Sequence, residues 1–222
     1  MRYAIYFSPA PASALGALGR DWLGGEAAPN GIPGVPLARW NELLGDVRRY
    51  GWHATLRPPF TLSPDVDYAD LRSSISTVAH AFSPCSIPLR LSRLGGFLAL
   101  RPVSDCAAVN ALAAACTEAV ETLRAPLVEP EFQRRMRGLD AIETHYLQRY
   151  GYPYVFERYR FHMTLSAPAT VEEEHALQRW LALRAAALPI ARIDSLAICV
   201  ENAAGAPFGV LERIPLRKAS AA

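Results

Sequence analysis

The sequence predicts an α+β fold with antiparallel sheets, on three observations. Aromatic and β-branched strand patterns are interspersed with helical ones, and several strand pairs lie close enough for hairpins. One short motif also recurs about half the chain apart, which points to a single domain over 1–222 made of two similar lobes.

Composition narrows the function classes. The chain has 222 residues, 51% hydrophobic and 20% charged, a globular balance with enough apolar mass to bury a core. No apolar run approaches the ~18 residues of a membrane span, and the N-terminal segment reads better as a strand than as a signal peptide. A cytoplasmic protein with no membrane partner is the expectation. A net charge of +2 argues against a strong non-specific field for nucleic acid. Of 23 basic residues Lys218 is the single lysine, so any anion gripped here meets guanidinium forks. Cys85, Cys106, Cys116 and Cys199 form no C-x-x-C pair and read as buried reduced thiols, which excludes zinc held by cysteine.

Taken in order, Arg2–Phe7 reads as a strand stopped by Ser8-Pro9. Residues 9–38 are rich in Pro, Gly and Ala, with helical character around Ala12–Leu23 and with Trp22 and Trp40 available to pin the segment. A short helix over Leu37–Leu44 precedes an alternating strand from Tyr50 to Leu56, ended by Pro58-Pro59. Asp67 opens a helix that places Leu71, Ile75 and Val78 on one face. Strands at 87–91 and 96–100 flank Gly95-Gly96, and Ser104 or Asp105 caps an alanine-rich helix to about Leu123. Loop and helix fill 126–149, and Tyr159–Leu165 is again strand-like. Thr170 and Glu173 form a capping box for a helix to about Ala187. Strands at 192–200 and 208–214 close the chain as a hairpin, and Ala219–Ala222 should fray.

The recurring motif is His53-Ala54-Thr55-Leu56 and His162-Met163-Thr164-Leu165, each preceded by an aromatic residue. On a strand, His53 and Thr55 share one side while Trp52, Ala54 and Leu56 take the other, and the second copy repeats the pattern. Two facing lobes would bring two imidazoles and two hydroxyls to one cleft. Imidazoles titrate near neutrality and can serve as base and acid, while threonine hydroxyls bind phosphate oxygens. Arg57, two residues after Thr55, and Arg160, two before His162, would share the cleft side by the same alternation and could clamp a phosphate. Tyr150, Tyr152 and Tyr154, with Tyr6, are either a stacking wall for a base or sugar or a buried aromatic cluster. His80 reads as an interface or exposed residue and His145 and His175 as solvated, and no ligand cluster marks a metal site. Neither a Gly-x-x-x-x-Gly-Lys-Ser/Thr phosphate loop nor a Gly-x-Ser-x-Gly elbow occurs.

The paired motifs resemble those of the 2H phosphoesterase superfamily, which includes RNA 2′,3′-cyclic phosphodiesterases. The flanks Tyr50-Gly51-Trp52-His53 and Tyr150-Gly151-Tyr152-Pro153-Tyr154 resemble a bacterial branch found with phosphonate-metabolism genes. The resemblance implies a bilobal fold, two antiparallel sheets with outer helices around a pseudo-two-fold cleft, and chemistry without metal or cofactor. His53, His162, Thr55 and Thr164 would be catalytic, and Arg57, Arg160, Tyr6 and Tyr154 would hold substrate. The expected activity is hydrolysis of a small cyclic phosphodiester. The alternative is a binding module for a nucleotide or phosphorylated sugar in the same cleft. The expected partner is a small phosphorylated substrate. The long Pro/Gly segment departs from RNA-acting members, so RNA is not favoured.

Overall fold

The computed structural model describes residues 1–24 and 31–217. Strand β1 (Arg2–Phe7) has five buried residues of six and runs through the interior of a sheet, as a short apolar run bounded by turn signals should. It lies antiparallel between β2 (Ala54–Phe60) and β8 (Ser195–Glu201). Strand β9 (Gly209–Pro215) completes the order β2-β1-β8-β9. Pro58 and Pro59 do not end β2, because it is an edge strand and a missing N–H is tolerated on its free side.

A second sheet holds β4 (Leu89–Leu94), β5 (Phe97–Pro102) and β6 (Met163–Thr164) in that order. Gly95 and Gly96 join β4 to β5 with φ of 54° and 99°, the paired positive values that a two-residue hairpin turn needs. A small ladder pairs β3 (Cys85–Ile87) with β7 (Ala191–Ile193). Pro88 therefore separates two strands where the sequence pattern reads as one.

Among the described residues there are seven α-helices: α1 (Ala14–Leu23), α2 (Leu37–Tyr50), α3 (Tyr68–Ala81), α4 (Ala107–Ala119), α5 (Glu129–Met136), α6 (Ala141–Tyr150) and α7 (Val171–Ala186). The molecule is α+β with antiparallel sheets, as the pattern of elements predicts. Asp67 and Thr170 cap α3 and α7 through complete capping boxes. Helix α2 runs on past Leu44 because Val47 extends the buried stripe of Trp40, Leu43 and Leu44. Helix α4 begins after Cys106 with no side-chain cap, because Asp105 accepts from Asn110 Nδ2 instead. The expected strand over Tyr159–Leu165 shrinks to the two residues of β6; the Arg160 carbonyl, which a ladder would use, accepts from the His162 ring instead. The expected fraying of Ala219–Ala222 lies outside the described residues.

One hydrophobic core joins the two larger sheets, taking Ile5 and Phe7 from β1, Leu98 and Leu100 from β5, and Met163 from β6. Trp22 is buried against Trp40, ring centroids 4.8 Å apart, and its indole N–H donates to the Leu165 carbonyl at 2.8 Å. Those contacts pin α1 to the exit of the second motif. On the opposite face of the β1 sheet, Ala4, Tyr6, Ala197, Cys199 and Phe208 form a smaller cluster. Cys116 and Cys199 are buried, whereas Cys85 and Cys106 are partly exposed, which narrows the expectation of four buried thiols. No helix among the described residues is long and apolar enough to cross a membrane.

Candidate functional site

The first motif sits at the start of β2, on the face that carries the small aromatic cluster. Tyr6 pairs with Thr55 across the ladder, so their side chains share a face, and the Tyr6 ring packs on His53 with centroids 4.0 Å apart. His53 itself precedes the ladder. Its Nδ1 lies 2.9 Å from the Gly51 carbonyl, which can only accept, so the proton sits on Nδ1 and the lone pair on Nε2. The Thr55 hydroxyl then donates to Nε2 across 3.2 Å. Gly51 has φ 74° and ψ −178°, a region open essentially to glycine alone, and this conformation presents the carbonyl.

The second motif repeats the anchor. His162 Nδ1 lies 2.7 Å from the Arg160 carbonyl, again the residue two positions earlier. Thr164 pairs with Ala99 at the edge of the β4-β5-β6 sheet, and Phe97 lies beside His162 with ring centroids 5.9 Å apart. The two motifs meet through the chain between them: the Tyr159 hydroxyl donates to the Thr55 carbonyl at 2.9 Å.

Two adjoining cavities mark the meeting place. The first, about 600 Å³, is lined by Tyr6, His53, Thr55, Thr164 and Ser166 among others. The second, about 510 Å³, is lined by His162, Arg160, Phe156 and Tyr159. Thr55, Pro58, Phe97, Tyr152 and Tyr154 border both. His53, Thr55, Thr164, Tyr6 and Tyr154 thus share one cleft, with His162 and Arg160 in the adjoining cavity. Phe156, at the far edge, has φ 51°, a strained value for an aromatic residue.

Arg57 is a correction. Ile5 pairs with Arg57 while its neighbour Tyr6 pairs with Thr55, so Leu56 is an extra residue in a bulge. The bulge breaks the alternation and carries Arg57 to the opposite face from Thr55. Arg57 is 2% exposed and donates through Nη2 to the Tyr150 carbonyl at 2.7 Å. Tyr150 also stays away from both cavities, packing on Phe156 with centroids 4.9 Å apart. His80, His145 and His175 are exposed, as expected.

Electrostatics favour neutral imidazoles in the free protein. Burial lowers the His53 pKa to about 4, the Gly51 carbonyl opposes the shift, and the charge of His162 adds to it. Burial also lowers His162, against the Arg160 carbonyl, and Arg101 pushes the same way. The Tyr6 hydroxyl is buried without a partner, and burial raises its pKa. Phe97, Ser166 and Arg101 escaped the sequence reading. Phe97 and Arg101 could have been found by extending the two-residue period of the 96–100 strand, but no pattern marked Ser166.

Two curated relatives match. One from Laribacter hongkongensis is 39% identical over 214 residues, and one from a Janthinobacterium species is 38% identical over 229. Each is called ribose 1,5-bisphosphate phosphokinase PhnN, and the matches cover 94% and 96% of this chain. The chain spans about half the length of these relatives, 50% of each. The cyclic-phosphodiesterase expectation is corrected here: both relatives bear the name of a phosphotransferase, not a hydrolase. Among solved structures, the crystal structure of TT0787 of Thermus thermophilus is similar over 99% of this chain and 100% of that one. Its TM-score is 0.49 at 16% identity. A family model described as "Protein of unknown function (DUF1045)" matches residues 55–209, from Thr55 in the first motif through the whole of the second, and the chain belongs to that family.

Proposed function

We propose that the cleft binds a phosphorylated ribose in phosphonate metabolism, with a phosphate between the two His-x-Thr arms, and that the imidazoles exchange protons with that phosphate. The matched anchors carry this reading. Each histidine donates Nδ1–H to the carbonyl two residues before it, which leaves Nε2 unprotonated and turned to the cleft, beside the Thr55 hydroxyl in the first arm and without a partner among the described residues in the second. In the same reading the two arms are related halves of one bilobal domain. Thr55 and Thr164 supply hydroxyl donors, Tyr6 an unpartnered phenol, and Tyr152 and Tyr154 the apolar wall for the sugar. The relatives' name supports the ribose, since it specifies a doubly phosphorylated ribose as what those proteins act on.

The proton balance gives a direct test. Both free imidazoles are neutral at pH 7, and a phosphate dianion beside them raises their pKa values. Binding therefore takes up protons, and affinity rises as pH falls from 8 to 6. Calorimetric titration of ribose 5-phosphate in two buffers of different ionisation enthalpy reads that uptake. Folded protein that gives no heat with ribose 5-phosphate or ribose 1,5-bisphosphate at either pH overturns the reading.

A further inference from the structure

The sheet face next to His162 carries three arginines, in excess of the carboxylates near them. Arg90 on β4 stands directly opposite Arg101 on β5. Like charges in such a pair repel each other. Neither they nor Arg160 form an ion pair among the described residues. All three line a cavity of about 560 Å³. Two carboxylates line the same cavity, Asp105 bonded to Asn110 Nδ2 at 2.8 Å and Glu157 to the Tyr146 hydroxyl at 2.9 Å; those neutral donors leave both charges in place, so three guanidinium groups face two carboxylates and the cavity keeps an excess of positive charge. Arg101 Nε is buried with no partner, and so is the hydroxyl of Ser92, two residues from Arg90 on the same face. Buried donors without acceptors are costly, and a guanidinium fork matches an oxyanion best.

The cavity also lies within reach of the His-x-Thr arms. Ala99 pairs with Thr164, and Arg101 is the next residue on that face of β5, about 7 Å further along the strand. Tyr159 and Arg160 border both this cavity and the one that holds His162. Arg101 also helps hold His162 neutral, which places its charge close to that ring.

We propose that Arg90, Arg101 and Arg160 form a second phosphate seat, so that a ligand of the cleft carries two phosphoryl groups, one at the His-x-Thr arms and one here. The identity of the ligand rests on the phosphoribose reading; the seat itself rests on the arginines alone. Calorimetry with ribose 5-phosphate and ribose 1,5-bisphosphate, on wild type and on the Arg90→Gln/Arg101→Gln double variant, separates the two claims. The bisphosphate should bind wild type at least about tenfold tighter than the monophosphate, and the variant, whatever its monophosphate affinity, should keep less than about a threefold preference. A preference that survives in the variant, or is absent from wild type, overturns the seat. If neither sugar phosphate binds wild type, the phosphoribose reading fails and the seat is judged with inorganic phosphate. Broadening of the phosphorus resonance by wild type but not by the variant then supports it, whereas equal or absent broadening overturns it. Removing two facing like charges should hold or raise the thermal midpoint, so a lowered midpoint identifies a misfolded variant, and Arg101→Gln alone then replaces it.

Discussion

The two His-x-Thr arms have the same local anchor and different supports. The first enters a seven-residue strand, β2, held along its length by β1, with Tyr6 stacked on its imidazole and Thr55 bonded to Nε2. The second enters a two-residue ladder at the edge of a three-stranded sheet, with Phe97 at 5.9 Å and no partner for Nε2 among the described residues. A repeated sequence motif can thus specify the same tautomer twice while its surroundings divide the work. The first arm is preorganised, and the second is open and lies beside the unpaired arginines.

The largest expected effect is on stability below neutral pH. An unfolded histidine titrates near 6.5 and folded His53 near 4, so between those values the unfolded chain binds a proton that the folded chain refuses. Stability is full above pH 6.5 and falls as pH drops toward 4, by at most about 3 kcal/mol from this group. Chemical denaturation at pH 7 and at pH 4.5 measures the loss. His53→Gln should remove more of the slope than His162→Gln, because the Tyr6 ring keeps water from His53. Equal flattening by the two variants would break the comparison.

Ligand binding comes next. In the proposed site each imidazole bonds a charged phosphate, and such a bond contributes ~1.5–3 kcal/mol, so each His→Ala change should weaken ribose 5-phosphate binding by roughly 10- to 150-fold. Calorimetry on folded variants checks this; a histidine whose loss leaves affinity unchanged is structural. Gly51→Ala sharpens the contrast, because only the first arm hangs its histidine on a backbone shape that other residues resist. It should cost ~1–3 kcal/mol of stability, read from the thermal midpoint. A variant as stable as wild type would show that the carbonyl anchor tolerates ordinary backbone.

The motif residues were legible in the sequence because they repeat, and His53 with Thr55 was legible because a strand has period two. Arg57 was misjudged by that same rule. Its face depends on the bulge at Leu56, and a bulge is set by pairing with β1, some fifty residues away, rather than by any local pattern. The double proline misled for a related reason: whether Pro58-Pro59 ends a strand depends on whether β2 lies at an edge. Asp105 shows a third limit, since a residue with good capping chemistry was taken by Asn110. Sheet class, hairpins and the Thr170–Glu173 capping box depend on short-range chemistry and were readable. The type of reaction was not, because paired imidazoles suit more than one kind of phosphate chemistry.

The smallest effect discriminates best between the arms. The Thr55 hydroxyl donates to Nε2 of neutral His53 in the free protein, while Thr164 makes no such bond to His162. Thr→Val keeps the branched shape that suits a strand and removes only the hydroxyl. In the first arm the change deletes an existing bond, so it should lower stability by ~0.5–1.5 kcal/mol. It should also let the His53 pKa climb from about 4, because a hydrogen bond to the neutral ring disfavours its charged form. In the second arm the same change deletes a bond made only with ligand, so stability and the His162 titration should stay put while ribose 5-phosphate affinity falls. Proton resonances of the two imidazoles followed from pH 3.5 to 8, with the thermal midpoint of each variant, read all of this. If Thr55→Val and Thr164→Val shift their own histidines alike, the two arms are equivalent in the free protein, and preorganisation of the first is wrong.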